Sequence, residues 1–238
     1  MDFYQVLEGR SSIRAFLPKP VDEGLLEKIL LAAGCSPSYM NTQPWEVFVV
    51  MGKKKEELCA GLSLAAQEDE PKRPDFPLPT AWPEALEKRL SAHRRNRFAA
   101  LRVDTSDQKK LRAGYLRNFQ LYGAPCGVFV GLDQTLTSWS MFDSGLFVHG
   151  FLMALHAEGL GGCPQAMLTI YPDIIRKHLR ITDNIKIAMG ISVGYPDYDS
   201  PLNSYRSQRK ILMSLFVGLI KIEISPACLT GIQLYISL

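Results

Sequence analysis

Residues 10–16, RSSIRAF, place two guanidiniums (Arg10, Arg14) and two hydroxyls (Ser11, Ser12) within five positions. Arginine forks pair bidentately with phosphate and cannot lose their charge, while serine hydroxyls turn to meet the remaining oxygens. One phosphate monoester would use the whole set. The structural alternative is that arginines beside a helix end complement its negative pole and are otherwise solvated. A second basic group favours the anion: NSYRSQR (203–209) places Arg206 and Arg209 just after a GYPDYDSP loop. Neither stretch contains G-x-G-x-x-G or G-x-x-x-x-G-K-[ST], so side chains rather than a glycine-rich turn would hold the phosphate.

A third stretch, SPSYMNTQPWEVFVV (36–50), offers Ser38, Asn41 and Gln43 as donors and acceptors on a turn that Pro44 closes, since the residue before proline is pushed into extended geometry. Amides beside a strand suit a flat heteroaromatic ring with carbonyl and ring-nitrogen edges. A purely structural turn tolerates the same residues.

The elements that must carry these stretches follow from periodicity. Residues 2–9 read as a short helix ending at Gly9. Asp22 caps a second helix, in which Leu25, Leu26, Ile29, Leu30 and Ala33 share one face up to Gly34. RSSIRAF is the connection between them. WEVFVVM (45–51) reads as a short buried strand, followed by a helix over 53–66. Residues 67–80 hold four prolines and six charges and read as an exposed loop. Two polar helices follow, over 83–100 and 106–122, the second capped by Ser106, and CGVFVGL (126–132) is a strand.

WSMFDSGLFVHGFLMALHA (139–157) is apolar almost all round, which predicts a helix at the centre of the core. Asp143, His149 and His156 within it argue against a membrane span. A further helix runs from Pro172 to about Leu179, and IKIAMGISVGY (185–195) is a near-continuous apolar run expected at the middle of a sheet. Helices and strands alternate without a regular repeat, which gives a single α+β domain.

Composition narrows the partners. Twenty-seven basic and 24 acidic residues leave a net charge of +3 without a concentrated basic stripe, which speaks against nucleic acid. Five scattered cysteines (Cys35, Cys59, Cys126, Cys163, Cys228) contain no C-x-x-C pair, so reduced thiols are expected and neither a disulfide framework nor a zinc site. Asp2 and Glu8 stand where an export signal would need basic residues before an apolar run, and a cytoplasmic location is expected.

The order R-S-x-x-R-x-F, then P-S-x-x-N-x-Q-P-W before a strand, then AEGLGGCPQA after a helix, then GYPD and N-x-x-R-x-x-R, resembles the nitroreductase family of FMN-dependent oxidoreductases over about residues 3–210. The resemblance implies a three-layer α+β sandwich, a mixed or antiparallel central sheet flanked by helices, in a homodimer with FMN at the interface. It implies that Arg10, Ser11 or Ser12 and Arg14 approach the ribityl phosphate and pyrimidine edge of FMN, with Arg209 and Arg206 closing on the phosphate. Pro37, Ser38, Tyr39 and Asn41 match a segment contributed from the partner subunit, with Gln43 just beyond it. Pro164, Gln165 and Ala166 match the loop whose backbone faces the flavin N5 and O4. The flavin would carry the hydride, so no catalytic acid or base is required, and His149 and His156 are expected to be core or helix-end residues.

The function so implied is reduction of nitroaromatics, quinones or related small acceptors by NADH or NADPH in a ping-pong cycle. The same scaffold also accommodates reductive dehalogenases and flavin-consuming enzymes, and a flavin-binding sensor or storage protein is the reading from another class. The stretch 67–104 reads as a variable insertion with no feature that assigns a substrate. Residues 211–238 form an apolar tail interrupted by Lys221 and Glu223, in which Ile220, Ile222 and Ile224 alternate as in a half-buried strand. The tail is expected to be an arm packed on the partner.

Overall fold

The computed structural model describes residues 1–209. The expected C-terminal arm, 211–238, and Cys228 lie outside the described residues.

Asp2 opens helix α1 (Phe3–Gly9) with a reciprocal cap, its side chain accepting from the Gln5 N–H while Gln5 returns a bond to the Asp2 N–H. Asp22 caps α2 (Glu23–Gly34), whose buried face is Leu26, Ile29 and Ala33. Then come β1 (Glu46–Met51), α3 (Gly52–Gln67), α4 (Glu84–Ala100), α5 (Gln108–Leu116), β2 (Cys126–Asp133), α6 (Ser138–Ala157), β3 (Gly161–Gln165), α7 (Pro172–Leu179) and β4 (Ile185–Gly194). The strands form one antiparallel sheet in the order β1-β2-β4-β3.

The sheet buries both faces. Val128, Val130, Ile191 and Val193 pack with Leu26 and Ile29 of α2 and Phe147, Phe151 and Leu155 of α6. Phe129 and Ile187 pack on the opposite face with Leu58 and Leu62 of α3 and Ile175 of α7. These are the expected three layers. Ile187 and Ile191 lie on opposite faces despite their even spacing because a bulge intervenes: Val130 pairs with Met189 but Gly131 with Ile187, leaving Ala188 as the extra residue.

Three expectations are corrected. WEVFVVM does form β1, but as an edge strand with Val49 exposed, since only β2 flanks it. The second polar helix is shorter than 106–122. Asp107, not Ser106, caps α5, and the chain tightens after Leu116 into a 3-10 segment, Arg117–Gly123, with left-handed Leu121 and Tyr122. Ser106 instead donates its hydroxyl to Asp104 at 2.7 Å. Finally, α6 lies against one layer rather than at the centre of the core. Phe147 and Phe151 are buried, whereas Trp139 and Phe142 are 67% and 62% exposed. An all-round apolar helix is equally the signature of one with a face left for another surface. Among the described residues, no helix is long and apolar enough to cross a membrane.

Candidate functional site

Beyond α1 the chain runs along the open edge of β3. Ser12 pairs with Gly162 in a parallel bridge, and the Ile13 N–H donates to the Gly162 carbonyl at 3.2 Å. A side chain on the strand would forbid this approach: a Cβ on Gly161 would stand 2.5 Å from Ile13 Cγ1. Buried Ile13 anchors the segment, so Arg10, Ser11, Ser12 and Arg14 sit half-buried beside the strand edge.

Asn203 clamps the other side. Its Oδ1 accepts the Arg14 N–H at 2.7 Å, and its Nδ2 donates to the Ala15 and Asp197 carbonyls at 2.8 and 2.7 Å. The 203–209 segment is thereby laid beside residues 8–15, where Arg206 Nη1 donates to the Glu8 carbonyl at 3.1 Å. The two basic stretches thus converge, with β3 beside them.

Their electrostatics are those of an anion site. Burial, then Arg209 and Arg206, pulls the Arg10 guanidinium below its ordinary pKa. His156, in the last turn of α6, is lowered by burial, Arg206 and Arg10. A second group adjoins the first. Arg97 of α4 is lowered by burial and by Arg14, and His93, one turn earlier, by burial and by Arg97, Arg14 and Arg209. Buried Cys163 lies near Arg14, Arg97 and Arg10, although burial dominates and raises its thiol pKa. None of the ion pairs among the described residues involves Arg10, Arg14, Arg97 or Arg209. Like charges held together with no ion pair among the described residues cost free energy that a bound anion would recover. A terminal phosphate fits this set.

Pro164, Gln165 and Ala166 end β3 and open the turn Ala166–Ile170. The Gln165 side chain is buried and faces inward, accepting the Ser192 hydroxyl and donating to the Asn118 carbonyl and Oδ1 at 3.2 and 3.3 Å. Only backbone is left for a ligand here. Ala166 is exposed, and as the first residue of the turn its N–H has no acceptor within it.

Pro37, Ser38, Tyr39, Asn41 and Gln43 are not brought to this place. They form a turn at the start of α6, where Tyr39 N–H donates to Asp143 at 3.1 Å and the Tyr39 ring stacks on Trp139. Ser38 Oγ accepts the Gln43 N–H at 2.9 Å, and Gln43 Nε2 donates to Asn41 Oδ1 at 3.1 Å. Met40, Asn41 and Gln43 all have positive φ, a concentration of left-handed residues typical of functional turns. Asp143 at one end and His156 at the other are thirteen residues apart on one helix, about 20 Å at 1.5 Å per residue. His149 lies exposed between them, not in the core.

The sequence reading did not single out Asn203, although it stands in the quoted N-x-x-R-x-x-R, nor Asn118, nor Arg97. Arg97 is one of several basic residues on α4, and only packing distinguishes it.

A Nitroreductase family model matches residues 7–195. The chain is 32% identical to a 4-nitrobenzoate reductase of Pseudomonas putida over 211 residues, 88% of this chain and 92% of the relative. It is 33% identical to the nitroreductase NfnB of Mycolicibacterium smegmatis, covering 86% and 87%. The crystal structure of the FMN-dependent nitroreductase NfnB from Mycobacterium smegmatis in complex with NADPH superposes with a TM-score of 0.82 at 31% identity, over 86% of this chain and 92% of that one. With Arg10, Arg14 and the whole of β3 inside the matched span, the chain belongs to the nitroreductase family.

Proposed function

We propose that this protein is an FMN-dependent NAD(P)H oxidoreductase that reduces nitroaromatics, quinones or related small acceptors. The observation that carries the reading is the convergence of Arg10, Arg14, Arg206 and Arg209, from opposite ends of the described chain, on the glycine-bearing edge of β3. Arg10, Arg206 and Arg209, with Ser11 and Ser12, hold the terminal phosphate. Arg14 faces the pyrimidine edge, where a fixed cation stabilises the negative charge that reduction places there. The Ala166 N–H is available to the N5 and O4 edge, and the bonds of Gln165 to Ser192 and Asn118 keep that backbone in place. Bound there, FMN supplies acceptance of a hydride at N5 and its delivery to the acceptor.

The site is completed by a second copy of the chain. Residues 37–43 stand too far from the arginines to share a ligand with them in one chain, while a groove of about 660 Å³ lined by Leu26, Leu30, Trp45, Val47, Val49 and Phe147, together with exposed Trp139 and Phe142, offers apolar surface for a partner. The named relatives, nitroreductases and one structure with NADPH, support the acceptor class and the nicotinamide donor.

Acid extraction of the purified protein should release FMN and not FAD, because no glycine-rich turn cradles a pyrophosphate. Steady-state NAD(P)H oxidation with a nitroarene and a quinone should give parallel double-reciprocal lines, as expected when donor and acceptor use one cleft in turn. Bound FMN without turnover would favour a sensor or storage protein.

A further inference from the structure

The helix α4 belongs to the stretch that sequence alone left without a role. No residue of α4 is fully buried, and Arg89, Arg94 and Arg95 point into solvent, yet Arg97 is half-buried and no hydrogen bond or ion pair among the described residues engages its guanidinium. Its position is set by a contact one turn earlier. His93 Nδ1 stands 3.1 Å from the Tyr205 hydroxyl with the rings 5.5 Å apart, and residues four apart share a helix face. Tyr205 belongs to the segment whose Asn203 grips the Arg14 backbone. Arg97, on the same face as His93, is therefore carried towards the segment that grips Arg14, and the Arg14 charge adds to burial in lowering its pKa.

We propose that Arg97 is a specificity-determining residue that selects acceptors bearing a carboxylate, a reading that rests on the FMN site proposed above. The phosphate is already served by Arg10, Arg206 and Arg209, and the pyrimidine edge by Arg14. Arg97 is surplus to both. Arg117 is also half-buried beside Arg14, but its guanidinium donates to the Arg14 carbonyl at 3.4 Å, whereas Arg97 has no such partner among the described residues and raises the free energy of the site until an anion arrives. A planar carboxylate on an aromatic ring matches the guanidinium fork. The extra phosphate of NADPH lies on its adenosine half, far from the nicotinamide ring that reacts. A preorganised, half-buried charge adds binding for the charged acceptor and none for its neutral isostere.

The test compares 4-nitrobenzoate with its methyl ester, using FMN-loaded protein and NADPH, in the natural chain, Arg97→Gln and Arg97→Lys. The ratio of kcat/KM for acid over ester should fall at least tenfold in Arg97→Gln and recover in part in Arg97→Lys. An equal loss on both acceptors would make Arg97 structural and overturn the proposal. An unchanged ratio with a raised NADPH KM would assign Arg97 to the nucleotide and overturn it equally. Flavin content, and turnover of the quinone by the natural chain, report separately on the underlying site: their absence would sink the FMN reading itself, while their presence with an unaltered ratio would sink only the role of Arg97.

Discussion

The amide oxygen of Asn203 accepts the backbone N–H of Arg14 at 2.7 Å, across 189 positions of chain, and the same side chain donates to the carbonyls of Ala15 and Asp197. One side chain thus ties the segments of the two arginine groups together, beside the Arg206 bond to the Glu8 carbonyl and the Asp197 N–H bond to the Ala15 carbonyl. Replacing it with alanine removes three bonds and leaves the half-buried Arg14 N–H unpaired, while the Ala15 and Asp197 carbonyls each keep one backbone donor. Asn203→Ala should cost about 2–4 kcal/mol and lower Tm by roughly 5–10 °C. It should also weaken FMN retention although Asn203 is assigned no contact with the cofactor. Calorimetry with flavin absorbance checks both, and a stable variant that keeps its flavin would show the clamp to be dispensable.

A second long-range tie secures the insertion rather than the site. Asp75, in the proline-rich stretch, accepts from Arg176 Nη2 at 2.6 Å and from the Ile187 N–H at 2.7 Å, next to the bulge that leaves Ala188 unpaired in β4. Arg176 also donates to the Ile185 carbonyl at 3.0 Å. The side chains of both partners are 11–14% exposed, so removing the carboxylate leaves a largely buried cation with only the solvent-exposed Asp173 carboxylate, 3.2 Å from its Nη1, as a counter-charge. Asp75→Ala should cost about 3 kcal/mol, at the lower end for a buried pair because some solvent reaches it. Denaturant unfolding measures this, and a loss under 1 kcal/mol would mean that water replaces the carboxylate.

Much of this was legible in the sequence, and for identifiable reasons. RSSIRAF marks a candidate anion site because arginine types carry their charge wherever they sit, and Asp22 and Pro172 mark helix starts because capping is local. Packing decided what was missed. Arg97 has the same type and spacing as the solvated Arg94 and Arg95, and half-burial follows from the His93 and Tyr205 contact across 112 positions. Ser106 and Asp107 are both acceptable caps, and the bond of Ser106 to Asp104 takes the first out of competition. The α6 run gives no hint of which apolar face stays open, since periodicity vanishes when every face is apolar.

The cation cluster also predicts a pH dependence for the ligand-free protein. Burial and neighbouring arginines lower the pKa of His93 and His156 from 6.5, so both rings release their protons more readily folded than unfolded. Below about pH 6.5 the unfolded chain then binds more protons than the folded one, and stability falls as pH falls. Thermal unfolding between pH 7 and 5 should show this, and the double variant His93→Gln, His156→Gln should have a shallower slope. Saturating FMN should flatten the slope as well, because its phosphate makes protonated imidazoles welcome. A slope unaffected by both changes would assign the acid sensitivity to carboxylates elsewhere.

The separation of Asp143 and His156 along α6 yields the most discriminating prediction. If residues 37–43 of one subunit complete the arginine site of the other, a variant crippled in the arginines and one crippled in the turn carry their lesions in different halves of each composite site. Arg10→Ala and Asn41→Ala homodimers should each bind FMN weakly, the first by a few kcal/mol as an anion loses its partner. Unfolding and refolding them together produces heterodimers in which one site holds both lesions and the other none. Flavin content and NAD(P)H oxidation should then recover towards one quarter of the natural level, since random pairing makes half the dimers mixed and each mixed dimer has one intact site. A mixture no better than the average of its parents would mean that each chain builds its site alone, and the turn at 37–43 would need another explanation for its three left-handed residues.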